Sequence, residues 1–428
     1  MPAYIIAGFC TAALLLFIMM KPDRAIYLKN LTLPLLGVLF ILALILFSET
    51  SVNAALKGIR LWLDIVFPSL FPFFVASEIL NSTGFVRSTG VLLEPVMRPL
   101  FKVPGCGSFA LAMGITSGYP VGARITCSLL ENGDISKPEA ERLLAFTNNS
   151  GPLFVVGAVA TGMYGIPALG LFMLACHIVA SFTVGILLGF FRGGGMEKQP
   201  VKKGKTLKKF SNELFAANKK KLPNTGTIFG DAVKNSVSLI ITIGAFIIFF
   251  SVVINLLLET NVIGFIANAL ARLLSPAGIS SEMLTAVLSG FFEITTGTSL
   301  ASKVVNIPLE IKLAFTSLII GWAGLSVHSQ VYSITANAGI SMKPYFLGKF
   351  LQGVIAAVFT WIGMQFDVFK TLANSPVLSA QQKMAFSGWQ NVLVNSLIYL
   401  LFVLAIYGIF CLGALIAKSS KKKKHNHA

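Results

Sequence analysis

Three long stretches of the chain carry no Asp, Glu, Lys or Arg: Leu143–Phe191, Leu313–Met342 and Met384–Ala417. A soluble core of that length would be interrupted by charged surface positions. One bilayer crossing needs about 20 mostly apolar residues, so each stretch holds one or two membrane-spanning helices. Composition agrees, because 55% of the 428 residues are hydrophobic and only 12% are charged, about half the charged share of a soluble domain. The fold class read from this is all-α, a polytopic membrane protein.

Apolar runs predict nine transmembrane helices, at 3–20, 31–48, 59–80, 143–163, 167–191, 232–258, 310–336, 345–366 and 391–417. Two more apolar segments, 106–130 and 284–303, are broken by Gly, Pro, Ser and Thr. Irregular backbone at membrane depth survives only where protein or a wet cavity satisfies it, so both are read as re-entrant hairpins. The start Met-Pro-Ala-Tyr has no basic n-region, so the first apolar run is expected to be a retained helix. The five cysteines are scattered and odd in number, which argues for packing residues and against a metal or disulfide framework.

The formal charge of +17 is not spread over the chain. Most of it lies between Arg192 and Lys221 and in the tail, at Lys418 and Lys421 to Lys424. Both segments flank membrane spans, the pattern that sets cytoplasmic sides and meets anionic lipid; nucleic acid is not an expected partner. With 192–230 placed inside, the loops carrying Lys21 and Arg98 also fall inside, the first hairpin enters from the cytoplasm and the second from outside. The C-terminus is then cytoplasmic.

That layout exposes a repeat. Ala54-Ala55-Leu56-Lys57 resembles Ala232-Val233-Lys234, and Thr83-Gly84-Phe85 resembles Ile263-Gly264-Phe265. The hairpins follow at Gly114 and Gly290, and Leu144-Ala145-Phe146-Thr147 recurs as Leu313-Ala314-Phe315-Thr316. These landmarks keep one order at separations of 177, 180, 176 and 169. The two units start in opposite directions, and inverted repeats with interrupted helices are a signature of secondary transporters. The expected organisation is two N-terminal helices (1–50), a first repeat (51–191), a basic cytoplasmic loop (192–230), a second, inverted repeat (231–366) and a C-terminal helix with its tail (367–428).

Candidate binding residues cluster in the broken segments. The first hairpin offers Thr116, Ser117, Gly118, Tyr119, Gly122 and Arg124. Glycines let backbone amides approach a ligand, and half-helix N-termini attract anions. Arg124 is a charge at depth, which either serves function or snorkels to the interface. Asn148, Asn149 and Ser150 precede Gly151-Pro152, where a helix unwinding into a cavity is expected. The second hairpin carries Thr295, Thr296, Thr298 and Ser299 beside Glu293. Glu293 and His328 are candidates for proton coupling, against a buried ion pair for the first and a helix–helix hydrogen bond for the second. No His-Glu-x-x-His or phosphate-loop motif is present, so no enzyme activity, metal or cofactor is expected.

Pro68-Ser69-Leu70-Phe71-Pro72-Phe73, the stretch from Gly114 to Arg124, the acidic segment Glu131–Leu144 and Thr147-Asn148-Asn149-Ser150-Gly151-Pro152 together resemble the YlbJ (SpoVV) family of sporulation integral membrane proteins. That resemblance implies two Gate (nucleoside-recognition) domains, similar in turn to the core of concentrative nucleoside transporters. It implies an endospore-forming host and movement of dipicolinic acid across the outer forespore membrane. A nucleoside or other small anion, and a non-transporting scaffold of a sporulation complex, are the competing expectations. Lipid and a small molecule are the implied partners, with a homo-oligomer left open.

Overall fold

The computed structural model describes residues 22–82, 85–191, 224–274 and 279–366, and every element among them is helical. Apolar chain in lipid must satisfy its backbone groups internally, which a helix does. The expected spans 3–20 and 391–417, the tail and most of the basic loop lie outside the described residues.

The chain first forms α1 (Pro22–Leu46) and α2 (Ser48–Leu61). Residues Pro34–Leu46 and Ser48–Asp64 meet at 101°. A π-helical turn, Trp62–Val66, leads into α3 (Phe67–Ser82). Then come α4 (Phe85–Phe101), the pair α5 (Gly107–Thr116) and α6 (Val121–Glu131), and α7 (Lys137–Thr147). Helix α7 opens with a capping box between Ser136 and Glu139, which satisfies two orphan amides at once. It stops at Asn148, whose backbone is extended. A π-helix, Leu153–Met163, continues the path, followed by α8 (Ala168–Phe191).

The second series repeats that order: a long helix α9 (Thr225–Glu259), a short amphipathic α10 (Val262–Leu273), the pair α11 (Ser281–Phe292) and α12 (Ile294–Lys303), a broken helix α13 (Leu309–Trp322) and α14 (Gly324–Thr335), and a last helix α15 (Lys343–Gly363). The corresponding helices of the two series run antiparallel. Ser251 donates to the Ala54 carbonyl, Trp62 to the Ile240 carbonyl and Asn235 to Glu78, so α9 descends as α2 and α3 rise. Likewise Gln352 meets His177 while Gly363 abuts the Phe172 ring, so α15 runs against α8.

Among the described residues, four segments are long and apolar enough to cross a membrane, Ala168–Phe190, Thr225–Glu259, Leu309–Thr335 and Lys343–Gly363, and the bent pair makes a fifth if it is one span. Three expected spans take a different form. Segment 59–80 is a π turn plus a 16-residue helix containing Pro72. Segment 143–163 is not one helix, because Asn148 to Gly151 separate α7 from the π-helix. Segment 310–336 breaks at Ala323 and Gly324, both left-handed at φ 79° and 85°.

Helix α7 is the hub. Leu143, Leu144, Ala145 and Phe146 are wholly buried, and the Phe101 ring stacks on Phe146 at 4.8 Å. The hairpin α5–α6 sits so close that a Cβ on Gly114 would lie 1.7 Å from the Thr147 carbonyl oxygen. Gly114→Ala must therefore push the hairpin off α7. We expect a loss of about 2 kcal/mol or more, read as a lowered melting temperature of the purified protein in detergent, with a Gly37→Ala control, where nothing lies within 4 Å, unchanged.

Candidate functional site

Both hairpin tips and both helix breaks meet at one cavity of about 190 Å³. The first hairpin contributes Thr116, Ser117, Gly118 and Tyr119, the turn between α5 and α6; the second contributes Glu293, Ile294 and Thr295, the turn between α11 and α12. The broken helices contribute Gly151, Leu153 and Phe154 on one side and Ser326, Val327 and Gln330 on the other. Leu61, Val66, Ile243 and Ile247 wall it with apolar surface. The volume is below the roughly 300–1,000 Å³ of drug-sized pockets, which suits a small solute.

The tips are held from below. Gly118 is left-handed at φ 87° and packs on Gly151, where a Cβ would come within 2.8 Å of the Gly151 nitrogen. In the second series Gly324 takes the equivalent place against the Gly290 and Phe292 carbonyls. The π-helix starts on the cavity wall, at Leu153, and α14 starts at Gly324, two residues before Ser326 on that wall. Helix N-termini carry unpaired amides and the positive dipole end, so both favour a negatively charged guest.

Polar groups on the wall have distinct roles. Ser117 is buried, and its Oγ has no hydrogen-bond partner among the described residues. The Tyr119 hydroxyl is hydrogen-bonded to Ser150 Oγ and donates to the Ile320 carbonyl at 3.1 Å. Tyr119 therefore ties the first hairpin to a helix of the second series. Glu293 Oε1 accepts the Thr295 amide at 2.9 Å, and its Oε2 accepts the Thr296 amide at 2.7 Å and the Thr296 hydroxyl at 2.8 Å. That carboxylate caps α12.

Behind Tyr119 lies a closed polar cluster. Lys349 on α15 is fully buried, and its Nζ donates to the Asn148 carbonyl at 2.9 Å and to Gln352 Oε1 at 2.8 Å. Gln352 Nε2 donates to Asn149 Oδ1 at 2.8 Å and faces His177 Nε2 at 3.3 Å. His177 Nε2 accepts the Ser150 amide at 3.1 Å. Asn149 also donates to the Phe146 carbonyl and to Ser181. Asn148 Nδ2 donates to the Tyr345 hydroxyl, which also meets His328 Nδ1 at 3.0 Å. The break after α7 exists because these amides are used sideways, between the two series.

The residues singled out in the sequence separate into groups. Thr116, Ser117, Gly118, Tyr119, Thr295 and Glu293 line the cavity. Asn148, Asn149, Ser150 and His328 belong to the buried cluster and not to the cavity wall. Gly122 packs against the Thr147 carbonyl. Thr296 serves the cap, Thr298 donates to the Ile294 carbonyl at 2.8 Å, and the Ser299 carbonyl accepts the Ser302 hydroxyl. Arg124 lies in a separate, smaller pocket with Glu78, Ser128 and Asn235. Lys349, Gln352 and His177 escaped the sequence reading. Lys349 had a usable signal, a lone cation inside an expected span.

Comparison with known proteins places these features in a lineage. The model of the Gate family, described as nucleoside recognition, matches residues 63–191 and 240–341, one match in each series. The sporulation integral membrane protein YlbJ of Bacillus subtilis (strain 168) is 38% identical over 362 residues, covering 81% of this chain and 87% of that protein. No solved structure matches.

Proposed function

We propose a function from the premise that the chain belongs to the Gate (nucleoside recognition) family and to the family of the sporulation integral membrane protein YlbJ: it is a secondary transporter for a small anionic solute. The single observation that carries this reading is the convergence of two hairpin tips and two helix breaks on one cavity. A substrate held between antiparallel repeats can be exposed to either side by rocking one repeat against the other. A membrane scaffold has no use for such a cavity or for the buried polar cluster behind it.

The solute we propose is dipicolinate, crossing the outer forespore membrane. It is a flat aromatic dianion at neutral pH. The helix N-termini at Leu153 and Gly324 and the free Ser117 hydroxyl supply donors for its carboxylates. Thr116, Thr295, Ser326 and Gln330 add polar contacts, Tyr119 offers a ring to stack on, and the apolar wall covers the faces of the guest. Glu293 is occupied by its cap and Arg124 is not in this pocket, so neither is assigned the substrate.

Binding can be read without transport. A ligand at 100 times its dissociation constant stabilises the folded protein by about 2.7 kcal/mol. Dipicolinate is expected to raise the melting temperature of the protein in nanodiscs, and uridine is not. A shift with uridine alone would move the substrate to the nucleosides. A shift with neither, at millimolar concentrations, would count for the scaffold.

A further inference from the structure

We propose that Lys349 is the proton-carrying group of the transport cycle: it takes up a proton together with the anionic substrate and releases both on the opposite side. This rests on the transport reading above. Lys349 Nζ has two neutral oxygen acceptors, the Asn148 carbonyl and Gln352 Oε1. Its remaining side faces the Tyr119 ring, 5.5 Å from the centroid. Among the described residues no carboxylate lies within ion-pair distance of it. Two acceptors match the two N–H bonds of an uncharged amine; the third N–H of an ammonium has only the weak attraction of the Tyr119 ring face. An ammonium in the same place is a buried charge without a counter-ion, which a membrane protein tolerates only for function.

The groups that face Lys349 do not supply the missing negative charge. From α8 comes His177, whose Nε2 accepts the Ser150 amide, so Nδ1 carries the ring proton. From α14 comes His328, joined through Tyr345 of α15 itself. From the first hairpin comes Tyr119, and from the break after α7 only neutral groups, the Asn148 carbonyl and the Asn149 side-chain amide. A counter-charge can enter at the cavity that Tyr119 lines.

An anion there stabilises the ammonium form, as an opposite charge nearby always does. The proton comes from water on the entry side to the amine lone pair, and leaves to water on the exit side when the anion goes. A dianion moved with one proton carries one unit of charge fewer. The position also suits a switch. Lys349 sits in the second series, while its acceptor Asn148 and its cover Tyr119 sit in the first. Relative motion of the series must change its surroundings.

The test uses the full chain in liposomes loaded with a pH-sensitive dye, driven by an inward dipicolinate gradient, with protein-free vesicles as baseline. Exchange of labelled dipicolinate at equal concentrations is measured in parallel. The wild type is expected to acidify the lumen as dipicolinate enters. Lys349→Met is expected to keep exchange but lose about tenfold or more of the acidification, a loss confined to one step. Gln352→Glu puts a carboxylate where Oε1 now sits, 2.8 Å from Nζ, so it holds the ammonium fixed. It is expected to show the same split, and it stands in if the first variant does not fold. Dipicolinate entry by the wild type without acidification, or wild-type acidification by either folded variant, overturns the proposal and leaves the transport reading intact. No dipicolinate movement by the wild type overturns both.

Discussion

Ala158→Trp is expected to stop dipicolinate uptake while the protein stays folded. Ala158 lines the cavity from the π-helix, beside Leu153 and Phe154. An indole there adds bulk to the wall of the space that a substrate would occupy. The cavity accepts the added volume, so the packed core does not have to. The expected fall in initial uptake rate is about 100-fold or more, equivalent to about 2.7 kcal/mol at 1.36 kcal/mol per factor of ten. Melting temperature and a monodisperse elution profile are expected to stay near wild type. Unchanged uptake in a folded Ala158→Trp protein would mean that the solute does not pass through this cavity.

Asn149→Leu is expected to have the opposite signature, a large loss of stability. The Asn149 side chain bridges three elements: it donates to the Phe146 carbonyl at 2.9 Å and to Ser181 Oγ at 3.2 Å, and it accepts from Gln352 at 2.8 Å. Leucine is similar in size but bonds to none of them. The Gln352 amide loses a partner in a site with no exposure. The Phe146 carbonyl keeps the Ser181 hydroxyl as a donor, which limits the damage there. Gln352 Nε2 keeps its longer contacts to His177, at 3.3 Å, so the loss is that of three buried hydrogen bonds at about 0.5–1.5 kcal/mol each, and disturbance of Lys349 through Gln352 adds to it. The variant is expected to melt well below wild type and to express poorly. Asn149→Asp retains the acceptor toward Gln352 and separates loss of that bond from loss of the donors. A wild-type melting temperature for Asn149→Leu would remove the buried cluster from the account of the fold.

The long helices were legible because lipid demands continuous apolar sequence, and α8, α9 and α15 each show it. The hairpins were legible because Gly, Pro, Ser and Thr gather where a helix must turn inside protein. The break in α13–α14 was not. Trp322-Ala323-Gly324-Leu325 reads like any apolar helix, and the left-handed turn lies where Gly324 packs on the Gly290 and Phe292 carbonyls of the distant second hairpin. Arg124 drew attention because it is a charge in a hairpin. Its neighbours Val121, Ile125 and Ser128, spaced at i−3, i+1 and i+4, share its pocket. That spacing marks one helix face, which borders this second pocket and not the cavity at the hairpin tips. Lys349 shows the reverse case. Its charge was visible, and Gln352 lies one turn on, but the Asn148 carbonyl comes from 201 positions earlier, and no local pattern reports it.

The central claim, that two antiparallel series enclose a transport site for a small anion, is tested most directly by uptake into sealed liposomes containing the purified protein. Dipicolinate and uridine are compared under the same gradient, with Ala158→Trp as the blocked control. Saturable entry of dipicolinate is expected, with little entry of uridine and none above background for the blocked variant. Entry of neither solute, with protein of wild-type melting temperature in vesicles proven tight, would contradict it and leave a membrane scaffold as the better reading.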